Sequence, residues 1–257
     1  TLPNVNGCTF GVRKGSIDLY KDPEVERSIH KWGVFTLEDI HSQAPSLIGR
    51  DSVGQASLKN KVAIVTGGNG GIGLGIALGL AKAGASIVVA ARNADKTSGA
   101  VNGLIDLGAS ALGVRTDVND EVSVSAMVSR TIDRFGGVDI IVNNAGIGLR
   151  KLPQDYTVDE WDEVVDINLK GTFLCSREVY HHMEGAGAGK IINIGSMTSI
   201  FGLPWAAPYG ASKGGVVQLT RALAVAWAKT NIQVNAILPG WIRTGMTEGL
   251  ERNFPER

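Results

Sequence analysis

Cysteine is scarce in this sequence, and neither sign of charge is in excess. Cys8 and Cys175 are too few for a framework of disulfides among 257 residues, which favours the reducing cytoplasm as the location. Lys and Arg number 25, and Asp and Glu also number 25, so no overall positive field is available to hold a polyanion. We therefore expect neither nucleic acid nor an anionic membrane as a partner.

Long apolar runs, a secretion signal and clustered metal ligands are also lacking. No apolar run approaches the roughly 20 residues of a membrane span, and the first residues do not combine a basic start with an apolar core. His181 and His182 are adjacent, so they do not share a helical face, and no H-E-x-x-H or C-x-x-C motif occurs. The sequence predicts no metal site.

Glycine, in contrast, is abundant, with 34 residues. The glycines stand at the ends of apolar stretches, where tight turns and close backbone approach leave no room for a Cβ. A hydrophobic fraction of 44% beside 19% charged residues is ample for a buried core. The chain is therefore expected to be globular.

Six apolar runs alternate with helix-length segments from residue 57 onward. They are Lys61–Thr66, Ser86–Ala90, Ala111–Val114, Val138–Val142, Lys190–Ile194 and Ile232–Leu238. Continuous apolarity is typical of strands buried on both faces of a parallel sheet. We predict an α/β fold with a doubly wound, Rossmann-like sheet and helices on both faces, in which ligands bind just after the strands. Residues 1–56 lack this periodicity and are interpreted as an N-terminal extension of uncertain structure.

A glycine-rich turn, Thr66-Gly67-Gly68-Asn69-Gly70-Gly71-Ile72-Gly73, follows the first of these strands and opens a predicted helix. Such glycines let backbone approach a pyrophosphate, while free N–H groups and the helix dipole face the anion. No Lys-Ser or Lys-Thr pair follows the last glycine, so the turn is not a P-loop. It indicates a dinucleotide site, with a purely structural turn as the alternative.

A second motif combines Ser196, Tyr209 and Lys213. Tyr209 and Lys213 are four residues apart and share a helix face, and Ser196 follows the fifth apolar run. A phenol with a reference pKa of about 10 is a poor acid–base catalyst at neutral pH unless a nearby cation such as Lys213 favours its phenolate. The alternative is a solvated Tyr-Lys pair on a helix surface. Ser196 lacks the G-x-S-x-G elbow of a hydrolase nucleophile.

With Asn143-Asn144-Ala145-Gly146 and Asn168, these motifs resemble the short-chain dehydrogenase/reductase family from about residue 57 to 247. The resemblance implies that residues 57–257 form a dinucleotide-binding catalytic domain that transfers a hydride between nicotinamide and a carbonyl or secondary alcohol. It implies Tyr209 as general acid/base, Ser196 as hydrogen-bond partner of the substrate oxygen, Lys213 as ribose ligand and Asn168 as holder of a water. The alternative is a catalytically weak nucleotide-binding regulator on the same fold.

The resemblance also implies a set of cofactor-binding residues at the ends of the strands. They are Gly67, Asn69, Gly71, Ile72 and Gly73 in the first turn, Arg92 and Asn93 after the second strand, Asp117 and Val118 after the third, Asn144, Ala145 and Gly146 after the fourth, Tyr209 and Lys213 on the helix, and Pro239, Gly240, Ile242 and Thr244 beside the nicotinamide. Asp117 has an alternative role as a cap of the helix that begins near Asp120.

The end of the second strand bears on the choice of cofactor. NAD-specific sites place an acidic side chain there for the ribose 2′-hydroxyl, but Ala91 occupies this position and Arg92 follows it. A guanidinium can pair with a 2′-phosphate through two charge-assisted hydrogen bonds. We predict NADP as the preferred cofactor. NAD remains the alternative, because an absent acid removes discrimination without creating a preference.

The sequence departs from the family pattern after Thr247, where the family continues with a lid, another helix and a final strand. We expect this last strand to be absent, and the alternatives are a truncated chain, a rearranged chain or an extension that replaces the missing edge. Predicted helices at 158–183 and 209–229 carry surplus apolar residues, and the resemblance implies that they pair across a homodimer or higher homo-oligomer. The expected substrate is a small-molecule carbonyl or alcohol compound whose identity the motifs do not specify. Local runs resemble gluconate-type dehydrogenases and 3-oxoacyl reductases.

Overall fold

The computed structural model describes the backbone of residues 9–13, 16–21 and 24–30, together with residues 57–242 and residue 244. The strands are β1 Thr9–Arg13, β2 Ser16–Lys21, β3 Glu24–His30, β4 Val62–Thr66, β5 Ser86–Ala91, β6 Ala111–Arg115, β7 Ile140–Asn143, β8 Gly189–Ile194 and β9 Ile232–Pro239. The α-helices are α1 Gly71–Lys82, α2 Ala94–Asp106, α3 Glu121–Phe135, α4 Val158–Val165, α5 Gly171–Gly185 and α6 Ala207–Ala226. The six predicted apolar runs therefore correspond to β4 through β9.

The nine strands of the described residues belong to one sheet in the order β3-β2-β1-β9-β8-β7-β4-β5-β6. The ladders from β9 to β6 are parallel. Ile64 and Ile141 are fully buried on one face of this sheet, and Val65 and Val142 are fully buried on the other. Both faces are thus covered by helices, and the prediction of a doubly wound parallel sheet is confirmed.

Strands β1, β2 and β3 provide the far edge of the sheet. β1 pairs in parallel with β9, so that Phe10 lies opposite Ile237, and β2 and β3 continue outward as antiparallel strands. This pairing agrees with the alternative in which the N-terminal extension occupies the edge beyond β9. The predicted boundary at residue 56 stays a prediction, and residues after 244 lie outside the described part of the chain.

A helix of unusual construction spans α4 and α5. Thr157 begins it with a capping box, because its hydroxyl accepts from the Glu160 N–H at 3.2 Å and its own N–H donates to the Glu160 carboxylate at 3.0 Å. A π-helical segment, Asp166–Lys170, joins α4 to α5. Such wide turns are rare and occur frequently at functional sites. Among the helices described, none has the length and apolarity needed to cross a membrane.

Candidate active site

The predicted site residues lie at the carboxyl ends of the parallel strands. The glycine turn follows β4, Arg92 follows β5, Asp117 follows β6, Asn144 follows β7, Ser196 follows β8 and Gly240 follows β9. β4 lies between β5 and β7, so the direction of winding reverses at β4. Ligands of doubly wound sheets bind at this switch point, outside the carboxyl ends.

The glycine turn has little room for side chains. Gly67 and Gly71 adopt positive φ angles of 63° and 52°, which favour glycine. A Cβ on Gly73 would lie 2.4 Å from both the Gly67 carbonyl oxygen and Nδ2 of Asn144. No side chain caps the start of α1, because its N-cap residue is Gly70. The turn therefore presents backbone N–H groups and the positive end of a helix dipole, which suits a pyrophosphate.

Asn144 ties the glycine turn to the end of β7. Its Nδ2 donates to the Thr66 carbonyl at 2.9 Å, and its backbone N–H donates to the Thr66 hydroxyl at 3.0 Å, as does that of Ala145. Asn143 is buried and donates to Ser176 and Asn193 at 2.9 and 2.8 Å. The asparagine pair thus holds two strand ends together, and direct contact of Asn144 or Ala145 with a cofactor stays a prediction.

Asn168 lies in the π-helical segment and is fully buried. Its Oδ1 accepts from the Ile147 N–H at 2.8 Å, and its Nδ2 donates to the Ile147 carbonyl and to the Ser212 hydroxyl, both at 3.0 Å. A Cβ on Gly146 would lie 3.0 Å from Oδ1 of Asn168 and 3.6 Å from Nζ of Lys213. Asn168, Gly146 and Lys213 therefore meet, and Asn168 fixes the loop after β7 against α6.

The Lys213 amine is inside the protein, where its residue is 4% exposed. Its Nζ donates to the Ile194 carbonyl at 2.7 Å, at the end of β8. Burial lowers the pKa of this amine to about 8, so it remains mainly protonated at neutral pH. The predicted alternative, a Tyr-Lys pair solvated on a helix surface, is wrong for Lys213.

Ser196 and Tyr209 form the polar end of this cluster. Burial raises the pKa of the Tyr209 phenol, while a hydrogen bond with Ser196 and the charge of Arg150 act in the opposite direction. Lys213 Nζ lies 5.8 Å from the centre of the Tyr209 ring. The Ser196 hydroxyl also accepts from the Thr198 N–H at 3.2 Å. A lowering of the Tyr209 pKa by Lys213 stays a prediction.

The end of β5 combines a cation with a helix N-terminus. Arg92 is exposed, and the next residue, Asn93, caps α2 by accepting from the Lys96 N–H at 2.9 Å. Nδ2 of Asn69, in the glycine turn, donates to the Asn93 carbonyl at 3.4 Å and to Thr97 at 3.2 Å. The side-chain oxygen of Asn93 is therefore used for capping. Arg92 and the first turn of α2 are suited to bind a 2′-phosphate such as that of NADP.

The remaining predicted residues lie at the ends of β6 and β9. Asp117 accepts from the Asn119 N–H at 3.0 Å, and the cap of α3 is Asp120, so the capping role considered for Asp117 is wrong. Val118 is buried under Gly171. Pro239 ends β9 and leads through Gly240 to Ile242 and Thr244. A Cβ on Gly71 would lie 3.3 Å from the Thr244 methyl, which brings the β9 loop over the glycine turn next to Ile72.

Sequence reasoning missed Arg150, which lies beside the aromatic side chains of Trp205 and Trp241. Its guanidinium lies 5.8 Å from the centre of the Trp205 ring, and the Trp205 and Trp241 ring centres are 6.3 Å apart. The loop after β7 has neither periodicity nor a motif that would have indicated this placement. Within the described residues, no group of three or more His, Cys, Asp or Glu side chains could hold a metal ion.

Comparison with known proteins gives consistent matches. A family model described as short chain dehydrogenase matches residues 61–254. Cis-4-hydroxycyclohexanecarboxylate dehydrogenase of Sinomonas cyclohexanicum is 42% identical over 193 residues, which cover 74% of this chain and 76% of that protein. 2-Dehydro-3-deoxy-D-gluconate 5-dehydrogenase of Escherichia coli is 40% identical over 195 residues, which cover 76% of each protein.

Solved structures show the same architecture. A gluconate 5-dehydrogenase from Burkholderia cenocepacia, crystallised with NADP and tartrate, superposes with a TM-score of 0.73 at 38% identity, covering 76% of this chain and 77% of that one. This chain belongs to the short-chain dehydrogenase family and is an oxidoreductase of that family.

Proposed function

We propose that this protein transfers a hydride between a bound nicotinamide and a carbonyl or secondary alcohol, with Tyr209 as general acid/base. One observation carries the proposal: the buried cation of Lys213 lies 5.8 Å from the ring centre of Tyr209, whose phenol is close enough to Ser196 for that hydroxyl to lower its pKa. A carbonyl oxygen between Ser196 and Tyr209 would meet two hydrogen-bond donors, one of which can give up its proton.

The proton moves at the substrate oxygen. In reduction the Tyr209 phenol donates its proton to the forming hydroxyl, and in oxidation its phenolate removes that proton. Ser196 donates a hydrogen bond to the oxygen in both directions and stabilises the charge that develops there. Because burial raises the pKa of Tyr209, the phenol is protonated at neutral pH, which favours carbonyl reduction. A bound nicotinamide would supply or accept the hydride.

Other residues would bind and orient the cofactor. The turn at Gly67–Gly73 would hold the pyrophosphate, and Lys213 would donate to the ribose while Asn168 keeps the neighbouring loop in place. Asp117, Val118 and residues 144–146 would line the adenosine side, and residues 239–244 the nicotinamide side. Arg92 would pair with the 2′-phosphate of NADP, which we propose as the preferred cofactor. The NADP in the gluconate 5-dehydrogenase of Burkholderia cenocepacia supports this choice.

The substrate would be a small hydroxylated or carbonyl compound. Relatives are named for cis-4-hydroxycyclohexanecarboxylate and for 2-dehydro-3-deoxy-D-gluconate, and both names describe carboxylates. Another relative, from Synechocystis, is named 3-oxoacyl-[acyl-carrier-protein] reductase. These names support a substrate that carries a secondary alcohol or ketone with a second polar group close to it.

We also propose a homodimer in the cytoplasm, formed through the helix that runs from α4 to α5 and through α6. Trp161, Phe173 and Val225 are large apolar residues that these helices leave exposed. A twofold axis would let the same patches of both subunits cover one another. Light scattering at micromolar concentration should give twice the chain mass, and a monomer would contradict the proposal.

The test of catalysis is a screen of ketones, sugar acids and β-keto thioesters with NADPH and NADH, followed by absorbance of the reduced nicotinamide. Tyr209→Phe should lower turnover by roughly 10²–10⁴, with cofactor affinity retained. Tyr180→Phe is the matched control, because Tyr180 bonds to Glu184 on the surface of α5. Cofactor binding without turnover of any compound would instead favour the nucleotide-binding regulator.

A further inference from the structure

The mouth of the candidate site carries a cation that the proposed mechanism does not use. Arg150 is exposed on the loop after β7, two residues beyond Gly148. A Cβ on Gly148 would lie 3.6 Å from Cδ2 of the Tyr209 ring, so this loop passes directly beside the proposed acid/base. The loop therefore brings a positive charge to the rim of the space in which a substrate would meet Tyr209.

Contacts with Trp205 and Tyr156 hold the loop in place. The Arg150 guanidinium lies 5.8 Å from the centre of the Trp205 ring, a cation–π distance. The Lys151 N–H donates to the Trp205 carbonyl at 3.2 Å, and the Tyr156 hydroxyl donates to the Leu149 carbonyl at 2.7 Å. A guanidinium positioned in this way loses less conformational freedom when it binds a ligand.

Two further cations, Lys151 and Lys213, lie near this loop. Lys151 pairs with Glu160 at 2.5 Å, on the side of α4, and Lys213 is buried against the Ile194 carbonyl. The charge of Arg150 acts on the reacting group, since it lowers the pKa of the Tyr209 phenol. Of these three cations, Arg150 alone combines exposure at the rim with an electrostatic effect on Tyr209.

We propose that Arg150 binds a carboxylate of the substrate, so that this enzyme acts on hydroxy acids and oxo acids whose reacting carbon is a few bonds from the acid group. This inference rests on the proposed function. A planar guanidinium takes a carboxylate through two parallel N–H···O bonds. The second point of attachment would fix how the carbonyl lies between Ser196 and Tyr209.

Two matched substrate pairs test this specificity. D-Gluconate and D-sorbitol differ by a carboxylate in place of a hydroxymethyl group, and cis-4-hydroxycyclohexanecarboxylate differs from its amide by one charge. The wild type should prefer the acids, and Arg150→Met should lower kcat/KM for the acids by roughly tenfold to a hundredfold more than for the neutral partners, mainly through KM. Lys151→Met is the control, because it removes an adjacent charge and should leave the preference unchanged.

The outcomes separate this inference from the proposed function. Turnover of neutral alcohols with no preference for the acids, or equal losses for both partners in Arg150→Met, would overturn the role of Arg150 and leave the reductase standing. If nothing is turned over, calorimetric titration of D-gluconate into the cofactor-loaded Tyr209→Phe protein decides instead. Affinity that Arg150→Met weakens at least tenfold supports the carboxylate site, and absent or unchanged affinity refutes it.

Discussion

The proposed cofactor side and the proposed substrate side of this site differ in the kinds of residue that form them. The cofactor side, residues 66–73 and 143–146, consists of backbone, small residues and hydrogen-bonded asparagines. The substrate side, residues 148–152, 200–205 and 241, exposes large side chains, with Phe201 52% and Trp241 53% exposed. Close packing restricts which residues fit the first side, whereas the second can change with little cost to the fold.

The largest expected effect comes from breaking the cofactor side at Gly73. In Gly73→Ala the new Cβ would meet the Gly67 carbonyl and the Asn144 amide, so the turn must shift. We expect unfolding free energy to fall by about 1–3 kcal/mol and cofactor affinity to be lost. Thermal unfolding and cofactor titration measure the two effects. Gly103→Ala on exposed α2, where a Cβ meets nothing within 4 Å, should not destabilise the protein, and the same loss there would contradict the steric argument.

The second prediction concerns how the rates of oxidation and reduction at Tyr209 depend on pH. Because burial raises the phenol pKa, the phenolate needed for alcohol oxidation is scarce at neutral pH, and oxidation should rise up to about tenfold per pH unit below that pKa. Reduction, which needs the phenol, should stay nearly flat over the same range. Arg150→Met should move the oxidation limb to higher pH, because the Arg150 charge lowers the pKa. A shift of the oxidation limb to lower pH would contradict the lowering of the Tyr209 pKa by Arg150.

A third prediction concerns Arg92, at the outer end of the cofactor side. Arg92→Ala should lower kcat/KM with NADP roughly tenfold or more and spare NAD, because one charged contact with the 2′-phosphate is lost. NAD serves as the internal control. Equal losses with both cofactors, or an initial preference for NAD in the wild type, would mean that Arg92 does not bind the 2′-phosphate.

The smallest expected effect is on stability at the substrate side. Phe201→Ser removes an exposed ring, so the free energy of unfolding should change by less than about 0.5 kcal/mol. Denaturant unfolding measures this change, and KM for the preferred substrate is followed in parallel. A loss of stability comparable to that of Gly73→Ala would contradict the expectation that the substrate side tolerates substitution better than the cofactor side.

Local and periodic features were predictable from the sequence, and non-local ones were not. Strands such as β4 and β5 were predicted within about two residues, because burial on both faces demands a continuous apolar run. The start of the predicted helix at 158 also depends on local sequence, because a capping box at Thr157 precedes it. The π-helical segment around Asn168 has no compositional signal. Arg150, a cation near Tyr209 in addition to the predicted Lys213, was missed because only the folded path of the loop after β7 brings it there.

The parallel pairing of β1 with β9 has a consequence for folding. Phe10 and Ile237 lie opposite one another, so almost the whole described chain separates them in sequence. Loop-closure entropy grows slowly with length, and the cost in stability is modest. Contacts so distant in sequence form late, however. During synthesis at about 5–20 residues per second, residues 9–30 would wait on the order of tens of seconds for β9 to be made, a period in which an unpaired strand edge is open to wrong partners.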